Sequence, residues 1–359
     1  MRLSDAEASA LGKKVRPSNK QGNYRYTLTE EEASSIQGIR TACKDGNVNP
    51  EDIKHGWLKT DSASLFFTNP EYKDQAVKET ETLKGEIIKW VESKSPKVKK
   101  FKTRTGKHLL VVDPADVHIG KLCTAFETGE EYNSQIAVQR TLEGVHGILN
   151  NCKGFDIDKI LFVGGNDILH IDTPKRTTTS GTPQDTSGMW YDNFMMAARL
   201  YQDVITKLSE VAPVHFVYNP SNHDYTNGFF LAQLIEAYFR NNKNITCDVS
   251  ISHRKYYTYG KNLIGTTHGD GAKMGDLGAI MAHESSKEWG ECTRRYWYTH
   301  HLHHKVAKDY IGVTVEALRS PSASDSWHHR NGYIGVPKAI EGFIHHKEHG
   351  QICRLTHLF

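Results

Sequence analysis

His108-Leu109-Leu110-Val111-Val112-Asp113-Pro114-Ala115-Asp116-Val117-His118 opens as an apolar run and closes on a carboxylate and an imidazole two residues apart. An uninterrupted apolar run of that length suits a strand in a parallel or mixed sheet covered on both faces. Three more stretches have the same form. Lys159 to Gly164 leads into Gly165-Asn166-Asp167, Val214 to Asn219 into Asn222-His223-Asp224, and Asn262 to Thr267 into His268-Gly269-Asp270. His301-Leu302-His303 completes the series. Ligand-type side chains placed where such strands end converge on one edge of the sheet, where open α/β folds usually hold ligands.

Carboxylates, imidazoles and one amide oxygen make an oxygen/nitrogen donor set without thiolate. Such a set suits manganese, iron, zinc or nickel. Asp116, His118, Asp167, Asn222, His268, His301 and His303 are too many for one ion and fit two ions sharing a carboxylate. Two ions roughly 3.5–4 Å apart serve an in-line displacement at phosphorus, which points to phosphate ester hydrolysis.

In order and spacing the five segments resemble the calcineurin-like metallophosphoesterase superfamily, with its D-x-H, G-D, G-N-H-[DE], H and G-H-x-H motifs, over roughly residues 107 to 305. The resemblance implies an α/β metallophosphoesterase four-layer sandwich, two mixed β-sheets flanked by helices. It also implies two divalent metal ions, with manganese expected first. Asp116, His118 and His303 would hold one, Asn222, His268 and His301 the other, and Asp167 would bridge them. His223 would protonate the leaving oxygen. Ser221 and His300 stand where the family has glycines, which implies altered turns, since glycine there normally serves φ > 0 or close backbone approach.

Three residues after Asp167 comes His170, in a segment similar to the Gly-Gly-Asp-x-x-His of SbcD-type DNA repair nucleases, where that histidine belongs to the catalytic set. The Asp-Arg-Gly continuation of phosphoprotein phosphatases is absent. The expected substrate is therefore nucleic acid, DNA first. The alternatives are a phosphomonoesterase, a small-molecule or cyclic-nucleotide phosphodiesterase, and an inactive binding protein. Of the 20 histidines, His215, His253, His283, His328, His329, His345, His346 and His349 are expected to be ordinary surface or core residues.

The net charge of +3 hides an uneven division. Residues 1–106 carry 20 Lys and Arg against 15 Asp and Glu, and the remainder 25 against 27. Much of the excess lies between Lys94 and Lys107, where Lys99, Lys100 and Lys102 are candidates for phosphate contacts and a solvated linker is the competing reading. A polar loop, Thr173 to Gly188, follows the Asp167 motif and should lie on the surface beside the site. Its Lys175 and Arg176 are further candidates for substrate phosphate. The loop's make-up also resembles metallophosphoesterases carried by bacteriophages.

Three regions are expected: a mainly helical N-terminal region over 1–93, a basic linker over 94–106, and a catalytic domain over 107–359. Thr29-Glu30-Glu31-Glu32 has the form of a capping box for a helix over about 30–44. Tyr72, Ala76, Leu83, Ile87 and Trp90 share one face of a second helix, running from Asn69-Pro70 to Ser95-Pro96. Asp45 to Phe67, between them, reads as turn-rich. In the catalytic domain helices are expected from about Asn133 to Asn150, Tyr191 to Glu210 and Phe229 to Asn241. Strands over Gly312 to Ser320, Val336 to Ile344 and Gln351 to His357 are assigned to the second sheet. Six scattered cysteines without a C-x-x-C pair argue against a zinc ribbon and a disulfide framework, and reduced thiols are expected. Without an apolar run of membrane-spanning length or a signal-peptide stretch, the expected location is cytoplasmic, the host cytoplasm if the chain is phage-encoded. A homodimer or a partner ATPase stays open.

Overall fold

The computed structural model describes Thr41, Lys44, residues 55–59, 64–68 and 82–87, Lys89 and residues 106–359. The chain divides into two compact units, Met1–Thr82 and Leu83–Phe359. In the first, β1 (His55–Lys59) and β2 (Ser64–Thr68) form an antiparallel hairpin, with His55 opposite Thr68 and Lys59 opposite Ser64. This hairpin occupies the stretch read from sequence as turn-rich between helices, so the N-terminal region is not helical throughout. Thr41, Lys44, residues 82–87 and Lys89 are helical, as expected. The capping box and most of the basic stretch, with Lys99, Lys100 and Lys102, lie outside the described residues.

The larger unit is built on two mixed sheets. In the first, β3 (His108–Asp113), β4 (Ile157–Gly165), β5 (Val214–Asn219) and β6 (Ile245–Asp248) run parallel. The second contains β7 (Lys255–Tyr259), β8 (Asn262–Thr267), β9 (Arg294–Thr299), β10 (Val306–Tyr310) and β11 (Val313–Ala317), in the order β10-β11-β9-β8-β7. The last strands, β12 (Ala339–His346) and β13 (Gly350–Leu358), extend the first sheet, with β12 antiparallel to β3. Both were expected in the second sheet. The apolar pattern marks them correctly as strands, but it does not encode which edge they pair with.

Side-chain alternation along β3 explains the layering. Leu109 and Val111 point into the core between the sheets, meeting Ile264, Tyr298 and Phe343. Leu110 and Val112 point the other way, into the core under helices Ser134–Asn151, Trp190–Ser209 and Tyr225–Phe239. Leu83 and Ile87 pack against that helical core, in keeping with the apolar face read from sequence. Helix Leu277–Glu284 covers the outer face of the second sheet through Leu277 and Met281, against Leu263, Trp297 and Val315. Helices, sheet, sheet and helix make the four layers expected.

Candidate metal centre

The five motif segments meet, but not at the edge of one sheet. Asp116 and His118 follow β3, Asp167 follows β4, and Asn222 and His223 follow β5, all in the first sheet. His268 follows β8, and His301 and His303 follow β9, both in the second. The site therefore sits where two facing sheets end together, the first supplying Asp116, His118, Asp167 and Asn222 and the second His268, His301 and His303.

Two groups that combine carboxylate and imidazole have metal-ligand spacing among the described residues, Asp116 with His118 and His303, and Asp167 with His268 and His301, and an all-imidazole group, His118 with His170 and His223, has it too. His118 Nε2 lies 3.2 Å from His303 Nε2, and His303 Nε2 lies 3.6 Å from Asp116 Oδ1. In the other group His268 Nε2 lies 3.3 Å from Asp167 Oδ2 and 2.9 Å from Asn222 Oδ1. Asp167 Oδ2 is also 3.9 Å from His118 Nε2, so one carboxylate reaches both groups.

The turns are unusual. Asp116, His118, Asp167, His301 and His303 all have left-handed backbones, with φ between 50° and 68°. The left-handed region costs non-glycine residues roughly 1–2 kcal/mol each, and Asn, Asp and His tolerate it best. Hydrogen bonds hold it here: Asp116 N donates to Asn166 O, His118 N to Asp167 O, and the Ser320 hydroxyl to Asp116 O. At Gly165, φ is 77° and an added Cβ would lie 2.2 Å from Asn219 O, so only glycine fits beside that strand.

Both departures from the family glycines have structural work. The Ser221 hydroxyl accepts the Asp167 amide at 2.8 Å and meets Asp224 Oδ1 at 2.6 Å. His300, buried, places Nδ1 3.0 Å from Thr267 O and Nε2 2.9 Å from Asp113 Oδ1, tying the ends of β8, β9 and β3 together. Neither has a positive φ.

Protonation suits cation binding. Burial drives the imidazoles of His118, His170 and His303 well below their ordinary range, and neighbouring cationic groups add to it, so their lone pairs are free. Burial pushes the Asp116 carboxyl up to about 6, partly opposed by His268. Burial would raise Asp167 too, but His268 and His223 outweigh it and hold that carboxyl well below the usual range. His268 in turn is lifted to about 9 by Asp167 against the effect of burial. Buried carboxylates facing the lone pairs of His118 and His303 fit divalent cations, a cation bound by His268 would displace the proton that Asp167 holds there, and the oxygen/nitrogen donor set fits the metals expected from sequence.

His170 and His223 stand beside these groups. His118 Nδ1 lies 3.3 Å from His170 Nδ1, so His118 can donate there while Nε2 faces the ligand group, the arrangement common behind metal-bound imidazoles. The His170 and His223 rings stack with centroids 5.2 Å apart. His223 Nδ1 donates to His170 O at 2.9 Å, and its backbone N–H donates to Asp167 Oδ1 at 3.0 Å.

Lys175 and Arg176 are exposed on their loop. That loop is more fixed than its polarity suggested: Thr178 is buried, Thr179 N donates to Asn222 O at 3.3 Å, and Thr179 Oγ1 bonds Asp172 and accepts from Tyr225 N.

Sequence reasoning missed three neighbours. His328, read as an ordinary histidine, stacks on His303 with centroids 5.1 Å apart. Lys121 is fully buried, with Nζ 3.0 Å from Asp325 Oδ2. Asp224 joins Ser221 to the amide of Leu169. Only Asp224 and Lys121 carried any signal, by lying within or just past a motif; His328 is remote in sequence.

No family model matches the chain, and no curated protein does. Solved structures similar to it include an archaeal phosphodiesterase, at 9% identity and a TM-score of 0.32, covering 70% of this chain and 99% of that one. Vps29 of Chaetomium thermophilum is 11% identical with a TM-score of 0.31, over 70% of this chain and 97% of that one. A protein described as a predicted phosphoesterase from Streptococcus pneumoniae is 12% identical with a TM-score of 0.27, over 70% and 97%. At such identities and TM-scores the likeness carries no argument about activity, and the ligand geometry stands alone.

Proposed function

We propose that the chain is a two-metal phosphodiesterase acting on nucleic acid, DNA in the first instance. The observation that carries this reading is the pair of Asp/His groups reached by one carboxylate, Asp167. Asp116, His118 and His303 would hold one cation, Asn222, His268 and His301 the other, with Asp167 between them. When bound, two divalent cations, manganese by preference, lower the pKa of a water nucleophile and neutralise charge developing on phosphoryl oxygens.

The chain's own residues do the rest. The backbone N–H of His223 holds Asp167 in place, and the His170 carbonyl fixes the His223 ring so that Nε2 can hand a proton to the leaving oxygen. His170 braces both His118 and His223. Lys175 and Arg176, with Lys99, Lys100 and Lys102 further upstream, have the charge to meet the phosphates of a polymer.

Metal-free protein resupplied with manganese should cleave end-labelled single- or double-stranded DNA in preference to a chromogenic phosphomonoester. His223→Ala should lower turnover by roughly 10²–10⁴-fold, the usual worth of a positioned acid, while metal content by mass spectrometry stays at the wild-type level. Loss of metal in that variant would make His223 a ligand, and turnover of small esters alone would remove nucleic acid as substrate.

A further inference from the structure

Beyond the ligand groups, a chain of rings leads outward from His303. His328 stacks on His303 with centroids 5.1 Å apart and planes 16° from parallel. Trp327 lies against His328 at 5.2 Å, and Tyr333 lies against it at 6.2 Å. Trp327 and Tyr333 stack on each other at 5.7 Å and 23°, yet they are 61% and 55% exposed. Large aromatic side chains are usually buried, and two of them stacked in the open beside a catalytic centre call for a partner.

The segment that carries them is held rather than loose. Asp325 caps the short helix Ser326–Arg330, accepting from His328 N at 2.9 Å and from His328 Nδ1 at 2.7 Å. Tyr333 N donates back to His328 O at 2.9 Å. Asp325 also meets the buried Lys121, three residues after His118, so the helix is pinned to the segment bearing a ligand. The acids that bound this segment are already paired, Asp325 with Lys121 and Glu341 with Arg319 and Arg354, and the residues between them carry Arg330 and Lys338.

We propose that Trp327 and Tyr333 form a stacking platform for an unpaired nucleobase of the nucleic-acid strand whose phosphodiester lies in the metal centre. The proposal rests on the diesterase reading above and narrows it to single-stranded substrate. Every base has a π-face, so such a platform accepts any sequence, and Arg330 and Lys338 on the same segment have the charge to meet the phosphate backbone.

The test compares a single-stranded oligothymidylate with the same chain built on abasic sugars, using the full-length protein with manganese. Hydrolysis and fluorescence-anisotropy binding of end-labelled chains are both read. The wild type should favour the base-bearing chain. Trp327→Ala and Tyr333→Ala should each cut that preference by roughly 5- to 100-fold, the usual worth of one stacked base. The loss should fall on KM and binding rather than on kcat. Trp327→Phe should keep most of the preference, and Ile311→Ala, at a fully exposed position on the β10–β11 turn, should keep all of it.

Equal treatment of the two chains by the wild type, or an unchanged preference in both ring variants, overturns the platform. So does a dimer that dissociates in Trp327→Ala, which would assign the patch to a second copy. If neither chain is hydrolysed but base-dependent binding is present and lost in the ring variants, the platform stands and the diesterase reading falls.

Discussion

Five candidate ligands sit at backbone angles that most residues avoid. Asp116, His118, Asp167, His301 and His303 have φ between 50° and 68°. Strain of this kind persists only where the surroundings over-determine it. At Asp167 the determinant is Ser221, whose hydroxyl accepts the Asp167 amide and meets a buried carboxyl, Asp224, that burial and the charge of Asp167 push up to about 8. Ser221→Ala leaves the Asp167 amide without its acceptor. The expected loss is about 1–3 kcal/mol, the cost of an unsatisfied buried donor. Denaturant unfolding of metal-free protein reads it directly, and a change below about 0.5 kcal/mol, the scale of an ordinary surface substitution, would show that the hydroxyl is dispensable.

The helix Ser326–Arg330 is too short to persist by its own hydrogen bonds, because nucleating a helix costs more than a single turn returns. Its stability comes from the ends. Asp325 supplies the cap, and the Lys121 ammonium, 1% exposed, supplies the opposite charge 3.0 Å away. His328 Nδ1 and Lys121 together hold the Asp325 carboxyl well below its usual range against the effect of burial. Asp325→Ala strands the buried ammonium, and the cost should lie near the lower end of the ~3–5 kcal/mol typical of halved buried pairs, since Asp325 is partly solvated. The double variant Asp325→Asn, Lys121→Met should cost less than the single one, because no charge is then left unpaired. A single-variant loss under about 1 kcal/mol would place the pair in the class of surface ion pairs and remove it as the anchor of this helix.

The two sheets are joined by more than apolar contact. Glu341, fully buried on β12, bonds Arg319 at 2.7 Å and Arg354 at 2.7 Å, and Arg354 also pairs with Glu316 on β11, so one guanidinium ties the sheets together. Close by, the His345 ring is buried between Tyr298 Oη, at 2.8 Å from Nε2, and Asn262 Oδ1, at 3.2 Å from Nδ1. Burial lowers His345 from its ordinary 6.5 to about 3. The neutral ring is the native form, so its contribution to stability is complete above the ordinary value and is lost as acid protonates the unfolded chain first. Between pH 6.5 and 3, wild-type stability should fall relative to His345→Gln by up to about 1.4 kcal/mol per pH unit, the limit for one proton. Denaturant midpoints across that range test it, and a constant difference between the two proteins would mean that the native ring takes up the proton freely.

Much of this molecule is written locally. The apolar runs of β3, β5 and β8 begin and end where the pattern of the chain places them, and the donor types and their order mark the ligand segments, because backbone hydrogen bonding and side-chain periodicity act over a few residues. The hairpin His55–Thr68 was not legible, since short turn-rich sequence reads alike in loops and in two-stranded ribbons. Partner choice is not local at all. That β12 closes on β3, that the ligands divide between two facing sheets, and that Lys121 meets Asp325 follow from contacts between residues more than 100 positions apart. Such pairings are selected by shape and charge complementarity in the packed state, which no periodicity along the chain records.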